Sequence, residues 1–333
     1  MNAGHDKLEL FAENTQRVKR DFFWQFDSVK RLAALLYAQE GRPIDCEAIR
    51  QCYDLIKQNT GVFSQFQGTM ALCVATLLSL SPNPQERLDE TLKVYDLLKG
   101  AGFHATDFLV VAAYQIAAQS SVSKHEVVVT RTRDFYDAIK ARHLFLTGED
   151  DYIFAAMLGL TDLDVATGAE HIEHIYSRLK GEFWDNNSIQ TLAQVLVLGN
   201  SDAGVIERVL ALRDALRARR IKLDKTYTLP VLGVLALLPV EIHTVVSDID
   251  AAQTILRAEK GFGMLSIDTA ELLLYVTSIV AGDYAKSAKD EVLRATFSTS
   301  ITNLIIAQQT AMIAMMLLFA SSAATASAAS SGS

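Results

Sequence analysis

The chain is 333 residues long, half of it apolar and 21% charged, with a formal net charge of −8 and a pI near 5.4. This composition excludes a disordered polymer and disfavours nucleic acid as a partner, because phosphate binding draws on an excess of Lys and Arg that is missing here. Cys46, Cys52 and Cys73 have no zinc spacing and read as reduced thiols of a cytoplasmic protein, and the polar N-terminus MNAGHDKLELFAENTQRVKR has no secretory apolar core.

Residues 1–44 are predicted to form N-terminal capping helices, with Phe11, Phe22, Phe23 and Trp24 as apolar anchors. From residue 45 to 282 the chain repeats itself. The segments LIKQNTGVFS, LLKGAGFHAT, AIKARHLFLT, RLKGEFWDNN, ALRARRIKLD and ILRAEKGFGM align on Lys57, Lys99, Lys140, Lys180, Arg217 and Arg257, at steps of 42, 41, 40, 37 and 40 residues. One helical turn before the first four anchors stand Tyr53, Tyr95, Tyr136 and Tyr176. Seven residues after the first five come Ser64, Thr106, Thr147, Asn187 and Asp224, all helix N-cap types. Nineteen after come Thr76, Ala118, Gly159, Gly199 and Ala236, all small, as close helix packing requires.

Each unit therefore reads as a helical hairpin. Its first helix ends near the basic residue, whose charge suits the negative helix end, and a capped, strongly apolar second helix faces the interior. In the sixth unit the cap moves to Asp268, with Glu271 at capping-box spacing. The expected fold is an all-α solenoid of about six hairpins, of the HEAT or tetratricopeptide kind. Residues 283–320 are expected to close it, and 321–333 form an Ala/Ser-rich disordered tail. The span 301–320, ITNLIIAQQTAMIAMMLLFA, has the length of a membrane helix, but Asn303, Gln308 and Gln309 and the lack of a basic flank favour a packed helix over a tail anchor.

The densest carboxylate cluster is in HLFLTGEDDY, residues 143–152. With Thr147 as cap, Glu149, Asp150 and Asp151 fall in the first turn of a helix, where negative charge is favoured. Asp150 and Asp151 point about 100° apart, so one carboxylate is surplus to capping. With Asn187 of the next hairpin it is a weak candidate for a hard cation, or for one edge of a protein-binding surface. His171 and His174 have i, i+3 spacing without a third ligand and read as exposed helix polarity. No phosphate-binding loop or nucleophile elbow is present. The segment ALRARRIKLDKTYTLP resembles a pentatricopeptide unit only locally, although its basic island suits an acidic or phosphorylated partner.

NTGVFSQF, YDLLKGAGF, FLTGEDDY and the C-terminal IIAQQTAMIA make nearly the whole chain resemble the uncharacterised bacterial family DUF4003. The resemblance implies a cytosolic protein and supplies no activity, cofactor or catalytic residue. The reading is thus a non-enzymatic helical-repeat scaffold without a cofactor, binding a peptide or protein through Tyr53, Tyr95, Tyr136, Tyr176, Asp150, Asp151 and Asn187. A metal-dependent activity at the Asp150/Asp151 edge and a tail-anchored adaptor are the alternatives.

Overall fold

The computed structural model describes residues 2–62, 64–68, 70–199, 204–224 and 228–287. Among them the chain is all-helical, with one isolated bridge, Lys180 to Phe183, as the sole extended pairing. The span 301–320 and the Ala/Ser tail lie outside the described residues; among the described residues no helix is long and apolar enough to cross a membrane.

The helices alternate between two layers. The outer ones are α1 (Asn2–Asp21), α3 (Cys46–Asn59), α5 (Pro84–Gly100), α7 (His125–Arg142), α9 (Val165–Leu179), α11 (Val205–Ala218) and α13 (Ile242–Ala258). Each bears an apolar stripe on one face, as in α3, where Ile49, Cys52 and Ile56 are the buried residues. The inner ones are α2 (Asp27–Gln39), α4 (Ala71–Ser79), α6 (Asp107–Gln119), α8 (Tyr152–Gly159), α10 (Asn186–Leu198), α12 (Leu229–Leu237) and α14 (Thr269–Ser287). Of these, α4, α8, α10 and α12 contain no charged residue and are buried over most of their length, and one connected core runs between the layers.

Each outer helix packs against the inner helix that follows it and against the next outer helix, and α13 packs against α1. Inner helices likewise follow one another, and α14 meets α2. Between α4 and α6 the link is thinner, with Tyr114 Oη donating to Leu77 O at 3.1 Å. The described helices thus pack as seven hairpins whose last meets the first, a ring where the sequence predicts a solenoid of about six hairpins. Residues 1–44 contribute the seventh hairpin, not a cap on a free end. The seam between first and last hairpins is well bonded. Phe11 stacks against Phe262 and Tyr275, each with centroids 5.2 Å apart. Buried Arg31 pairs with Glu271 at 3.0 Å and donates to Ser266 O at 2.8 Å, and Lys7 pairs with Asp283. Glu271 also accepts from Tyr275 Oη at 2.9 Å, and Asp268 caps α14 as expected, accepting from Glu271 N at 2.9 Å.

Hairpin connections set the polarity of the ring. All outer helices run one way and all inner helices the other, so one rim gathers the outer-to-inner turns and the inner N-termini. The outer helices end at Asn59, Gly100, Arg142, Leu179, Ala218 and Ala258, within two residues of the basic anchors. Four of those anchors have a second partner that explains the repeated Tyr: the ammonium groups of Lys57, Lys99, Lys140 and Lys180 lie 4.7, 5.6, 5.2 and 5.9 Å from the ring centroids of Tyr53, Tyr95, Tyr136 and Tyr176. A cation over an aromatic face one turn back contributes about 0.5–1 kcal/mol per pair at exposed sites. Of the N-terminal aromatics, Phe11 and Phe22 are core residues, while Phe23 and Trp24 are exposed, against expectation.

Candidate functional site

The carboxylate cluster sits on the rim of the outer-to-inner turns, at the seam of α8 and α10. After α7 the chain turns through His143 and Thr147 into a single 3-10 turn, Glu149–Asp151, before α8 begins. Thr147 is not the cap. Its hydroxyl is buried against the Gln190 amide at 3.2 Å, and Asp151 serves the free backbone donor instead, accepting from Gly148 N at 2.9 Å. Asn187 is likewise displaced as a cap by Asp185, which accepts from the Asn187 backbone N–H at 3.2 Å. Thr106 does cap α6, accepting from Leu109 N at 3.3 Å, whereas Ser64 caps a separate 3-10 turn before α4 and Asp224 pairs with Arg217.

Asp151 is fully enclosed. Its Oδ1 accepts from Gln190 Nε2 at 3.1 Å and Gln194 Nε2 at 2.8 Å. Burial pushes its carboxyl up, to about 7, and the neighbouring Asp150 charge adds to the rise, while the three N–H donors oppose it. Gln194 Oε1, on the other side of the amide that donates to Asp151, is buried with no partner. Asp150 accepts from Asn187 Nδ2 at 3.0 Å, and Glu149 pairs with His104 at 3.1 Å. The shell presented to both aspartates is therefore one of N–H donors, which suits carboxylates and opposes a cation. Among the described residues no group of three His, Cys, Asp or Glu side chains gathers as a metal site, and His171 and His174 are exposed.

The tyrosine row is mostly packing. Tyr95, Tyr136 and Tyr176 are buried and Tyr53 is half-buried, and burial raises the phenol pKa of the first three. Rings Phe103, Tyr136 and Tyr152 stack edge to face at 4.8 to 5.5 Å across the third and fourth hairpins. Of the seven residues expected to bind a partner, Asp150, Asn187 and Tyr53 are the ones a partner can reach. A second carboxyl, the half-buried Asp107, opens α6 on the same rim. Desolvation raises it to about 6, and its Oδ1 has no partner.

The opposite rim holds a cavity of about 330 Å³ between the C-terminal ends of α2, α4 and α6. Leu36, Leu77, Leu80 and Ala118 give it an apolar wall, and Arg42, Arg87 and Gln115 supply donors. Arg87 reaches the α6 carbonyl of Ala117 and pairs with Glu90. By contrast Gln115 Nε2 is buried without an acceptor, and the Arg42 guanidinium lies over the Tyr37 ring, with no carboxylate partner among the described residues.

This cavity and the buried amides were not anticipated. Gln190 and Gln194 carried a usable signal, since two amides at i, i+4 in an otherwise apolar helix must bond to something buried. The cavity carried none, because its walls come from three hairpins.

A family described as a protein of unknown function, DUF4003, matches residues 14–310, a stretch that contains NTGVFSQF, YDLLKGAGF and FLTGEDDY. The chain belongs to the DUF4003 family. No curated protein and no solved structure matches this DUF4003 chain. Membership therefore adds no chemistry to the DUF4003 ring, and its function has to be argued from the two rims.

Proposed function

We propose that the protein is a non-enzymatic helical-ring scaffold that holds a peptide or protein partner in the cavity at the ends of α2, α4 and α6. The observation that carries this reading is Gln115 Nε2, buried in that cavity without an acceptor, with the exposed Arg42 guanidinium at its mouth and an aliphatic wall beside it. A buried donor without an acceptor costs free energy, and an incoming carboxylate or carbonyl would recover it. The cavity volume is at the low end of ligand pockets, enough for one or two side chains of a peptide segment. The fitting ligand is an acidic or C-terminal carboxylate next to an aliphatic residue.

Selection of peptides from a displayed random library on the full-length protein tests this. Binders should carry a carboxylate beside Leu, Ile or Val. Arg42→Glu and Ala118→Trp, which reverse the charge and fill the space, should each weaken them about tenfold or more. Binders indifferent to both substitutions would place recognition elsewhere on the ring.

A further inference from the structure

The seven outer-to-inner turns emerge on one rim, and the apolar side chains that the ring leaves in water collect there. Of eleven large hydrophobic residues exposed among the described residues, nine belong to these turns, including Trp24, Phe26, Leu144, Phe145, Trp184 and Leu265. Phe145 and Trp184 are each 98% exposed. Single exposed apolar residues are ordinary, but their concentration on one rim is not. In two turns one aromatic is spent on the core and its neighbour points out: Phe22 is buried and Phe23 exposed, Phe183 buried and Trp184 exposed.

The charge pattern narrows the occupant. Residues 22–26, 60–70, 101–106 and 143–148, four of the seven turns, contain no Asp, Glu, Lys or Arg, so no charge needs desolvating when their tips leave water. About one turn behind the tips stand the exposed Lys57, Lys99 and Lys180, and the sixth turn adds Arg219 and Arg220. Several carboxylates near the tips are engaged at inner-helix N-termini, Glu149 by His104, Asp150 by Asn187, and Asp185 and Asp268 as caps, while the exposed Glu182 pairs with Arg213, Asp54 and Asp96 stand beside Lys57 and Lys99, and Arg219 pairs with Asp250. The tips are spread around a circle, one to three on most hairpins, which a plane can meet at all points together.

We propose that this rim docks on the surface of a lipid bilayer, with the aromatic and aliphatic tips in the interface and the lysines at the level of the headgroup phosphates. The mode is peripheral and independent of the peptide-binding cavity on the opposite rim.

The protein has two tryptophans, Trp24 and Trp184, and both are on this rim, so intrinsic fluorescence reports on it alone. Full-length protein is titrated with phosphatidylcholine vesicles, with and without phosphatidylglycerol. The expected result is a shift of emission to shorter wavelength, quenching by brominated acyl chains, and tighter binding to the anionic vesicles that salt weakens. The surface double variant Leu144→Ser/Phe145→Ser should need about tenfold more lipid for half-saturation, and Lys57→Glu/Lys99→Glu should lose the preference for anionic vesicles. Three results would overturn the proposal. They are no spectral change with either vesicle, co-sedimentation that Leu144→Ser/Phe145→Ser leaves unaltered, or the same shift on raising protein concentration without lipid, which would mean that a second copy covers the rim.

Discussion

Asp151 shows how one side chain can carry both a structural duty and a pH response. Its carboxyl, like that of Asp107, binds its proton more tightly in the folded chain than in the unfolded one, because burial disfavours the charged form. Between the ordinary Asp value near 4 and the raised values near 6 and 7, the folded state holds more protons than the unfolded state. Stability contributed by these groups is therefore present at low pH and lost as pH rises through that window. Asp151→Asn removes the charge that burial disfavours and can keep the bond from Gly148 N. Denaturant unfolding should show this variant gaining stability at pH 8 relative to pH 5, compared with the parent, by on the order of 2 kcal/mol. An unchanged pH profile would mean that Asp151 is charged at neutral pH. Sequence reading placed Asp150 and Asp151 at a helix start correctly, yet it chose Thr147 and Asn187 as caps. It erred in register: α10 starts two residues earlier, so that Asp185 takes the Asn187 N–H, and the Thr147 hydroxyl turns inward to the Gln190 amide while Asp151 takes the Gly148 N–H.

At the scale of the helix, the hairpins are closed at both ends by basic side chains. The anchors at the ends of the outer helices were legible, since their spacing with Tyr repeats in the sequence. Their counterparts were not. Arg131 of α7 donates to Gly159 O, Thr161 O and Leu163 O at 3.2, 2.8 and 2.6 Å, covering the carbonyls at the end of α8. Arg208 of α11 does the same for Ala236 O, Leu238 O and Val240 O after α12. Each lies nine residues before its anchor, Lys140 or Arg217, but Arg87 stands twelve before Lys99, and the broken spacing hid the set. Arg131→Met keeps the packing of the stem and strands three carbonyls. It should cost about 2–3 kcal/mol in denaturant unfolding, against about 0.5 kcal/mol for an exposed Arg such as Arg142. Equal costs at the two positions would show that Arg131 is not closing the helix end. The small residue nineteen after the third anchor has a matching cause, because a Cβ on Gly159 would sit 2.9 Å from the Thr132 backbone N, so α7 and α8 touch there through their main chains.

For the whole molecule, the repeat period foretold paired helices in two layers and left the closure unseen. A period fixes what one unit contains, whereas closure depends on the rotation from unit to unit, here roughly a seventh of a turn, to which no single residue type corresponds. The contacts that lock the ring join residues more than 230 positions apart, such as Arg31 with Glu271 and Gln16 with the Lys260 carbonyl. The exposed rim was hidden for a related reason: a turn with two aromatics does not say which one the core takes. In a closed ring the first hairpin is as interior as any other. Phe11→Ala should therefore destabilise the protein like a central core truncation, by about 3–5 kcal/mol in a single transition. Early fraying of one end with the main transition unmoved would indicate an open array.

Zero-length carbodiimide cross-linking of the monomeric protein, followed by peptide mass mapping, tests the ring itself. Lys7 and Asp283 are ion-paired across the seam, so a link between the peptides that carry them should form within one molecule. A monomer in which Lys7 links only to its own hairpin or the next one, with none to α14, would contradict the closed ring and the two rims that depend on it.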